Sequence, residues 1–332
     1  MQIKIVKPGM LSTIQDMGRN LYLSQAVPVS GAMDMLSARI ANMALGNDDN
    51  DAVLEFTYAN AGFTAETNVL IAYSGDGAVL IVGENILPAN KPIFIPQGTL
   101  VTLAHNPMGS RTYVAVSGGW DVPEVLGSRS TYITAGIGGL QGRRLKASDV
   151  LIANTEHTPL AKKLWDSLQS DTINYSDWSI PKDHLLPANR KQIRVVPANE
   201  FTWFSGLSIL DFLSKPYTLN QASNRMGYQL DGGEIKRLKK QELLSTAVVP
   251  GTIQVTNNGK LILLMADCQT TGGYPRIAQV AAVDMPLCAQ LKPGDAIQFT
   301  EISRVEAEML YIERDQQLKR LSKAVQNRFL YY

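Results

Sequence analysis

A chain of 332 residues with 45% hydrophobic and 18% charged residues has globular composition and is long enough for two lobes rather than one core. Its 31 basic and 30 acidic residues leave a net charge of +1, and no basic tract interleaved with aromatics stands out, which argues against a nucleic-acid partner. The longest apolar runs, such as residues 261–266, fall far short of a membrane span, and the under-charged surface suits a chain with permanent partners.

The chain opens on Met1-Gln2-Ile3-Lys4-Ile5-Val6, a strand-like segment with no signal peptide ahead of it. The only cysteines, Cys268 and Cys288, sit in apolar company and read as buried free thiols of a reducing compartment. The expected location is the cytoplasm. A first helix is expected from Asp34 as its cap, with Leu36, Ile40, Met43 and Ala44 on one face and Gly46 ending it. Runs at 69–73, 78–82, 92–95, 99–104 and 112–116 carry the branched and aromatic residues of strands. Strands this closely spaced, without helices between them, predict a mainly β barrel or sandwich rather than a doubly wound sheet.

From about 154 to 190 the texture changes, and the segment 171–191, polar, weakly periodic and broken by Pro181 and Pro187, reads as a connection between lobes with room for short pieces of its own. The expected organisation is therefore an N-terminal β lobe at 1–153, a connection at 154–191 and a C-terminal β lobe at 192–332. Strands are expected at 192–196, 251–255, 261–265, 278–283 and 296–299. A helix is expected near 200–213, with Phe201, Phe204, Ile209 and Phe212 as its apolar surface. The basic run Lys236-Arg237-Leu238-Lys239-Lys240 reads as a solvated helix face. A terminal helix starts at the capping box Ser303-Arg304-Val305-Glu306, sets Ile302, Val305, Met309 and Ile312 on one face, and ends in Lys319, Arg320 and Lys323. Thr13-Ile14-Gln15 echoes Thr252-Ile253-Gln254, and Gly118-Gly119-Trp120 echoes Gly272-Gly273-Tyr274, but the offsets differ and no single repeat period fits.

His105, His157 and His184 are the only histidines, and none stands at ligand spacing with another His, Cys or carboxylate. That disfavours a zinc site and a Ser-His-Asp triad, and no metal is expected. No GxxxxGK[ST] loop occurs, and Gln141 takes the last glycine slot of the run 136–142, so neither common nucleotide motif is present. Six segments read instead as polar turns between apolar strands: 13–19 with Gln15, Asp16 and Arg19; 28–34 with Asp34; 127–131 with Ser128, Arg129, Ser130 and Thr131; 142–144 with Arg143; 223–227 with Arg225; and 267–275 with Asp267, Gln269, Thr270, Thr271 and Tyr274. Glycine at such places lets backbone N–H groups approach a ligand. Each segment also has a plain structural reading. Asp16 and Asp34 cap a turn or helix, Arg225-Met226 packs an interface, and Glu55 is either an outward strand residue or a buried acid paired with Arg19 or Arg129. Together the six favour a polar small-molecule site. Arginine forks hold a planar carboxylate or phosphate, hydroxyl and backbone donors stabilise an amide oxygen, and a buried carboxylate relays a proton.

These same segments, in order along nearly the whole chain, resemble the family of 5-oxoprolinase C subunits, also called the KipA, allophanate hydrolase subunit 2-like or biotin-dependent carboxyltransferase-like family. The matching stretches are 9–19, 27–34, Gly118-Gly119 with 126–131, Gly138-Gly139 with Gly142-Arg143, 223–227, and 267–275 with Ile277-Ala278. Two departures stand out: Ser148-Asp149 where the family has Gly-Asp, and Gln229 where it has Arg, which removes one anion contact. The resemblance implies a cyclophilin-like β-barrel architecture and a hydrolase subunit active only in complex. With subunits A and B (KipI-like), such a complex uses ATP to open the lactam of 5-oxoproline to glutamate. On that reading Arg19, Arg129, Arg143 and Arg225 bind carboxylate or phosphate. Gln15, Gln269, Thr270 and Thr271 orient the lactam. Asp16, Asp34 and Asp267 handle protons, and Ser128, Ser130, Thr131 and Tyr274 complete the substrate set. The resemblance leaves two alternatives. One is a biotin-dependent carboxyltransferase of the urea carboxylase kind, with biotin on a separate carrier. The other is a non-catalytic regulatory partner of a KipI-like kinase inhibitor.

Overall fold

Along Gln2–Pro8, Ile3 and Ile5 are buried while Lys4 and Val6 are exposed, the period-two pattern that makes this segment a strand with one face on a core. The computed structural model describes residues 1–238 and 242–328. They group into two units: Met1–Gly18, Asp34–Leu185 and the described part of Gln316–Tyr332 form the first, and Arg19–Met33 with Leu186–Asp315 form the second.

The first unit holds two six-stranded antiparallel sheets. One runs in the order Val150–Ile152, Gln2–Pro8, Ala61–Ala65, Leu100–His105, Ala78–Val82, Asn85–Ile86. The other runs Asn174–Tyr175, Ile93–Ile95, Val69–Gly75, Arg111–Val116, Val53–Thr57, Leu11–Gln15. Their facing sides make one core, with Ile3, Ile5, Phe63 and Val101 from the first sheet and Ile14, Phe56, Ile71 and Val114 from the second. Helix α1 (Met35–Leu45) packs on the strands Val69–Gly75 and Arg111–Val116. Asp34 caps it through the Ser37 N–H at 2.9 Å, and Gly46 ends it at φ 69°. A Cβ at Gly46 would come within 2.7 Å of the Leu160 side chain, so glycine is needed there twice over.

The stretch expected to be a connection carries helix α2 (Pro159–Leu168) and the strand Asn174–Tyr175. The signal for α2 is present in the residues: Thr158 caps the Ala161 N–H, Pro159 takes the first helical position, and Ala161, Leu164 and Leu168 bury one stripe. The strand Leu11–Gln15 corrects the expectation that places Thr13 and Gln15 in a turn. Polar side chains hid a strand whose other face, through Ile14, is core.

The second unit is a closed seven-stranded barrel in the order Gln192–Pro197, Arg276–Val280, Thr252–Val255, Leu261–Leu264, Gly227–Asp231, Tyr217–Leu219, Ala296–Glu301. It closes by the parallel pairing of Ala296–Glu301 with Gln192–Pro197, which leaves no edge unpaired. Inside it Phe212 stacks on Phe299 with centroids 4.7 Å apart, a contact that contributes about 1 kcal/mol beyond its burial. The helix expected near 200–213 divides into a 3-10 turn (Phe201–Trp203) and α3 (Gly206–Ser214), because Ser205 caps a new start through the Ser208 N–H. The basic run is not a helix face over its described part: Arg237 bridges to Phe204 and donates to the Val255 carbonyl at 2.9 Å. Lys239 and Lys240 lie outside the described residues. A short helix α4 (Met285–Ala289) precedes the last barrel strand.

Helix α5 (Arg304–Arg328) starts as expected, Ser303 N–H donating to Glu306 Oε2 at 2.8 Å and Glu306 N–H to Ser303 Oγ at 3.2 Å. Its apolar stripe of Val305, Met309 and Ile312 is largely exposed. Both thiols are buried; burial, helped by the Asp267 charge, pushes Cys268 up to about 12 and burial pushes Cys288 up as well, so neither is a thiolate at neutral pH. Among the described residues no helix is long and apolar enough to cross a membrane. The architecture is mainly β, with a closed barrel and few helices.

Candidate functional site

The register of the second sheet places Thr13, Glu55, Tyr113 and Ser74 directly across from one another on four neighbouring strands. Their intervening neighbours Ile14, Leu54 and Val114 face the core, so this polar row lies on the opposite side of the sheet. Glu55 is a buried acid rather than an outward residue: it accepts the Tyr113 hydroxyl at 2.8 Å and has Arg111 Nε at 3.9 Å. The Asp34 N–H donates to the Tyr113 oxygen at 2.8 Å. Burial, and then the negative charges of Glu55 and Asp34, hold the Tyr113 hydroxyl well above its ordinary pKa. It therefore stays protonated and can bridge, donating to one partner and accepting from the other.

Gln15 and Asp16 stand at the end of the edge strand. Gln15 donates through Nε2 to Thr13 Oγ1 at 2.9 Å and to the Thr131 carbonyl at 3.2 Å. Its Oε1 is buried without a hydrogen-bond partner among the described residues. Asp16 is fully buried and its two oxygens take four donors: Gly18 N–H at 2.8 Å, Ser128 Oγ at 2.6 Å and Ser130 Oγ at 2.5 Å on Oδ1, and Arg129 N–H at 2.5 Å on Oδ2. Thr131 continues the strand edge by donating from N and Oγ1 to the Ile14 carbonyl, both at 2.9 Å. The segment 128–131 is thus folded onto Asp16. Gly139 closes behind it, where a Cβ would lie 2.0 Å from Thr131 Oγ1.

What this loop offers outward is the Arg129 guanidinium. Its side chain is about one-third exposed and meets Glu124 only at 3.8 Å. The Arg129 charge also acts on Asp51, whose carboxyl is pushed up mainly by burial and, to a lesser degree, by the Asp48 charge, while the Asp48 hydrogen bond and Arg129 oppose the rise. Asn50, in the same loop, accepts the Met17 N–H at 3.1 Å. Asp51 is a raised carboxyl near Arg129 that does not stand among the expected site residues. The run Asn47-Asp48-Asp49-Asn50-Asp51 was its signal, and it looks like an ordinary polar loop.

The expected proton carriers have other duties. Asp16 is an anchor saturated with donors, and Asp34 is a helix cap whose Oδ2 also accepts the Ser37 hydroxyl at 2.6 Å. Asp267, in the second unit, is clamped by Arg225 through Nε at 2.8 Å and Nη2 at 3.0 Å, and accepts Ser30 Oγ at 2.8 Å. Arg225 Nη2 also donates to the Gly31 carbonyl at 2.6 Å, so that guanidinium fastens the 28–31 loop instead of presenting a fork. Arg19 is wholly buried in the same unit, its N–H on the Val29 carbonyl at 2.7 Å. Arg143 is bound bidentately by Asp149 at 2.7 and 2.9 Å and closes the 143–149 turn. Gln269, Thr271 and Tyr274 stand exposed and Thr270 half-buried; the backbone there is pinned by pairing of Thr271–Gly272 with Thr246–Ala247 and by Val248 N–H on the Thr270 carbonyl. The structure therefore brings Gln15, Asp16, Ser128, Arg129, Ser130 and Thr131 together in the first unit, and Arg225 with Asp267 in the second.

Residues 25–301 match the family described as carboxyltransferase domain, subdomain A and B. The chain is similar to the C subunit of a 5-oxoprolinase from Escherichia coli (strain K12), 39% identical over 315 residues that cover 95% of each chain. The C subunit of a 5-oxoprolinase from Haemophilus influenzae is 32% identical over 320 residues, covering 95% of this chain and 96% of that protein. Among solved structures it resembles the Kluyveromyces lactis urea amidolyase with a TM-score of 0.85 and 29% identity, covering 96% of this chain. That match spans only 20% of the amidolyase chain, so the chain corresponds to about a fifth of that larger protein.

Proposed function

The chain belongs to the carboxyltransferase domain, subdomain A and B, family, and on that footing we propose that it is the C subunit of an ATP-dependent 5-oxoprolinase, working with subunits A and B. One observation carries the reading: the match to a 5-oxoprolinase C subunit runs over 95% of both chains, whereas the amidolyase match uses a small part of a much longer protein.

The loop folded onto Asp16 supports it chemically. Arg129, whose backbone is fixed by Asp16 and whose guanidinium is not closed by a bidentate carboxylate, binds the substrate carboxylate or a phosphate oxygen. Asp51, raised by burial, holds a proton closer to neutral pH than an ordinary carboxyl does, which suits a group that gives one to a departing nitrogen. In the second unit, exposed Gln269, Thr271 and Tyr274 offer amide and hydroxyl groups to a ligand. ATP in the complex supplies the phosphoryl group that activates the lactam oxygen.

The test is to co-purify the chain with its two partner subunits and follow glutamate formed from 5-oxoproline with and without ATP. ATP-dependent release only when all three are present is the expected result. An intact complex that releases none contradicts the reading. The family description and the likeness to a urea amidolyase favour a second reading, a biotin-dependent carboxyltransferase. It predicts instead that a carrier protein bearing carboxybiotin passes its carboxyl group to urea in the presence of this chain, leaving biotin on the carrier.

A further inference from the structure

A cavity of about 340 Å³ opens in the first unit between α2, the N-terminal residue and the end of the strand Arg111–Val116. Its walls are Met1, Ala161 and the Trp165 ring, which is held edge-on to Phe94 with centroids 5.4 Å apart. Its polar groups are Ser117, His157, Lys162 and Asp166.

Ser117 Oγ lies 3.2 Å from His157 Nδ1, which looks like a nucleophile and base. The neighbouring backbone argues against acyl chemistry. Gly118 N–H is taken by Asn47 Oδ1 at 2.9 Å and Gly119 N–H by the Val116 carbonyl at 2.9 Å, so the donors that would stabilise an oxyanion are already engaged. The pair is better suited to binding. In the tautomer in which the serine hydroxyl donates to Nδ1, the imidazole carries its proton on Nε2 and offers it as a donor. Burial, and then the positive charges of the Met1 ammonium group and Lys162, push the His157 pKa down, so the ring is neutral at physiological pH.

Lys162 and Asp166 are one helical turn apart on α2 and line the same cavity, yet neither forms an ion pair with any described residue. A ligand with a single charge would satisfy one of them and be repelled by the other. A ligand with both charges satisfies both, and the aromatic and thioether walls call for an apolar body. We propose that this cavity is a binding site for a small zwitterion, an α-amino acid with an apolar or aromatic side chain. Its carboxylate meets Lys162 and His157, its ammonium group meets Asp166, and its side chain lies against Trp165. The proposal is independent of the oxoprolinase reading.

The probes are L-phenylalanine, phenylacetate and phenethylamine, titrated calorimetrically into the full chain at pH 7.5. The shift of the Trp165 indole N–H resonance, identified by its loss in Trp165→Phe, serves as a second readout. L-phenylalanine is expected to saturate the site with a Kd of about 1 mM or tighter, and each single-charge analogue to bind roughly tenfold more weakly. Lys162→Ala and Asp166→Ala alter exposed side chains and should leave the melting temperature unchanged while each weakens L-phenylalanine roughly tenfold. Lys163→Ala, a neighbour outside the cavity lining, should not affect binding. The proposal is overturned if L-phenylalanine gives no saturable signal, if phenylacetate binds as tightly, or if Asp166→Ala leaves affinity intact.

Discussion

Asp16 in the first unit and Asp267 in the second are both buried carboxylates, but their surroundings compensate them differently. Asp16 is met by two serine hydroxyls and two backbone N–H groups, all neutral, and so gathers a loop around itself. Asp267 is met by the Arg225 fork, and the pair ties the loop 28–31 to the barrel. Neutral donors distribute the negative charge over many weak partners, and each can be lost with modest damage. An ion pair concentrates it on one partner, whose removal leaves an uncompensated charge. The difference also separates a partly exposed guanidinium from scaffold arginines. Because Asp16 grips the Arg129 backbone, the guanidinium is left for other work. Because Asp267 grips the Arg225 guanidinium, nothing is left over.

The largest expected effect follows directly. Arg225→Ala leaves Asp267 buried with its main partner gone and should destabilise the chain by about 3–5 kcal/mol in urea unfolding. A loss below about 1 kcal/mol would show that water reaches Asp267 and that the contrast is overdrawn. Asp16→Ala removes four hydrogen bonds but strands no charge, so a smaller loss of about 2–3 kcal/mol is expected, together with proteolytic cleavage within 127–131.

Arg143 and Asp149 sharpen the comparison because their pair is partly exposed. The Arg143 hydrogen bonds hold the Asp149 carboxyl below its ordinary 3.8. A depressed folded-state pKa gives stability that is present above the unfolded value and is lost as pH falls through the folded one. Wild type should therefore exceed Arg143→Gln by under about 1 kcal/mol at pH 6, with the gap closing below about pH 4. A gap that persists at pH 2 would assign the effect to packing. Ser148, at φ 71°, holds a left-handed backbone that glycine adopts freely. Ser148→Gly should raise stability by about 0.5 kcal/mol, read as a small rise in melting temperature; a fall would mean the serine contributes more than its backbone strain.

Much of the fold was legible because it rests on local patterns: alternation, short apolar runs and helix caps. The strand at 192–196 alternates polar and branched residues at its start, 78–82 is a short unbroken apolar run, and the caps Asp34 and Ser303 announce their helices. Leu11–Gln15 was not legible, since its polar face meets other polar side chains across the sheet and so resembles a turn. Closure of the barrel depends on pairing residues about a hundred positions apart, which no local pattern records. In the site, residue type revealed where the polar loops lie but not which atoms they engage on each other. Arg143 and Arg225 look as free as Arg129 until their partners are seen. Asp51 was passed over because burial, which raises its pKa, is a property of the fold.

Arg129→Ala in the three-subunit complex probes the central claim most directly. Asp16 holds that residue by its N–H, so truncation should leave the melting temperature and complex formation unchanged while ATP-dependent glutamate release falls at least roughly a hundredfold, the scale of a lost charged contact to the transition state. Turnover within about twofold of wild type, in a complex of normal stability, would contradict the account.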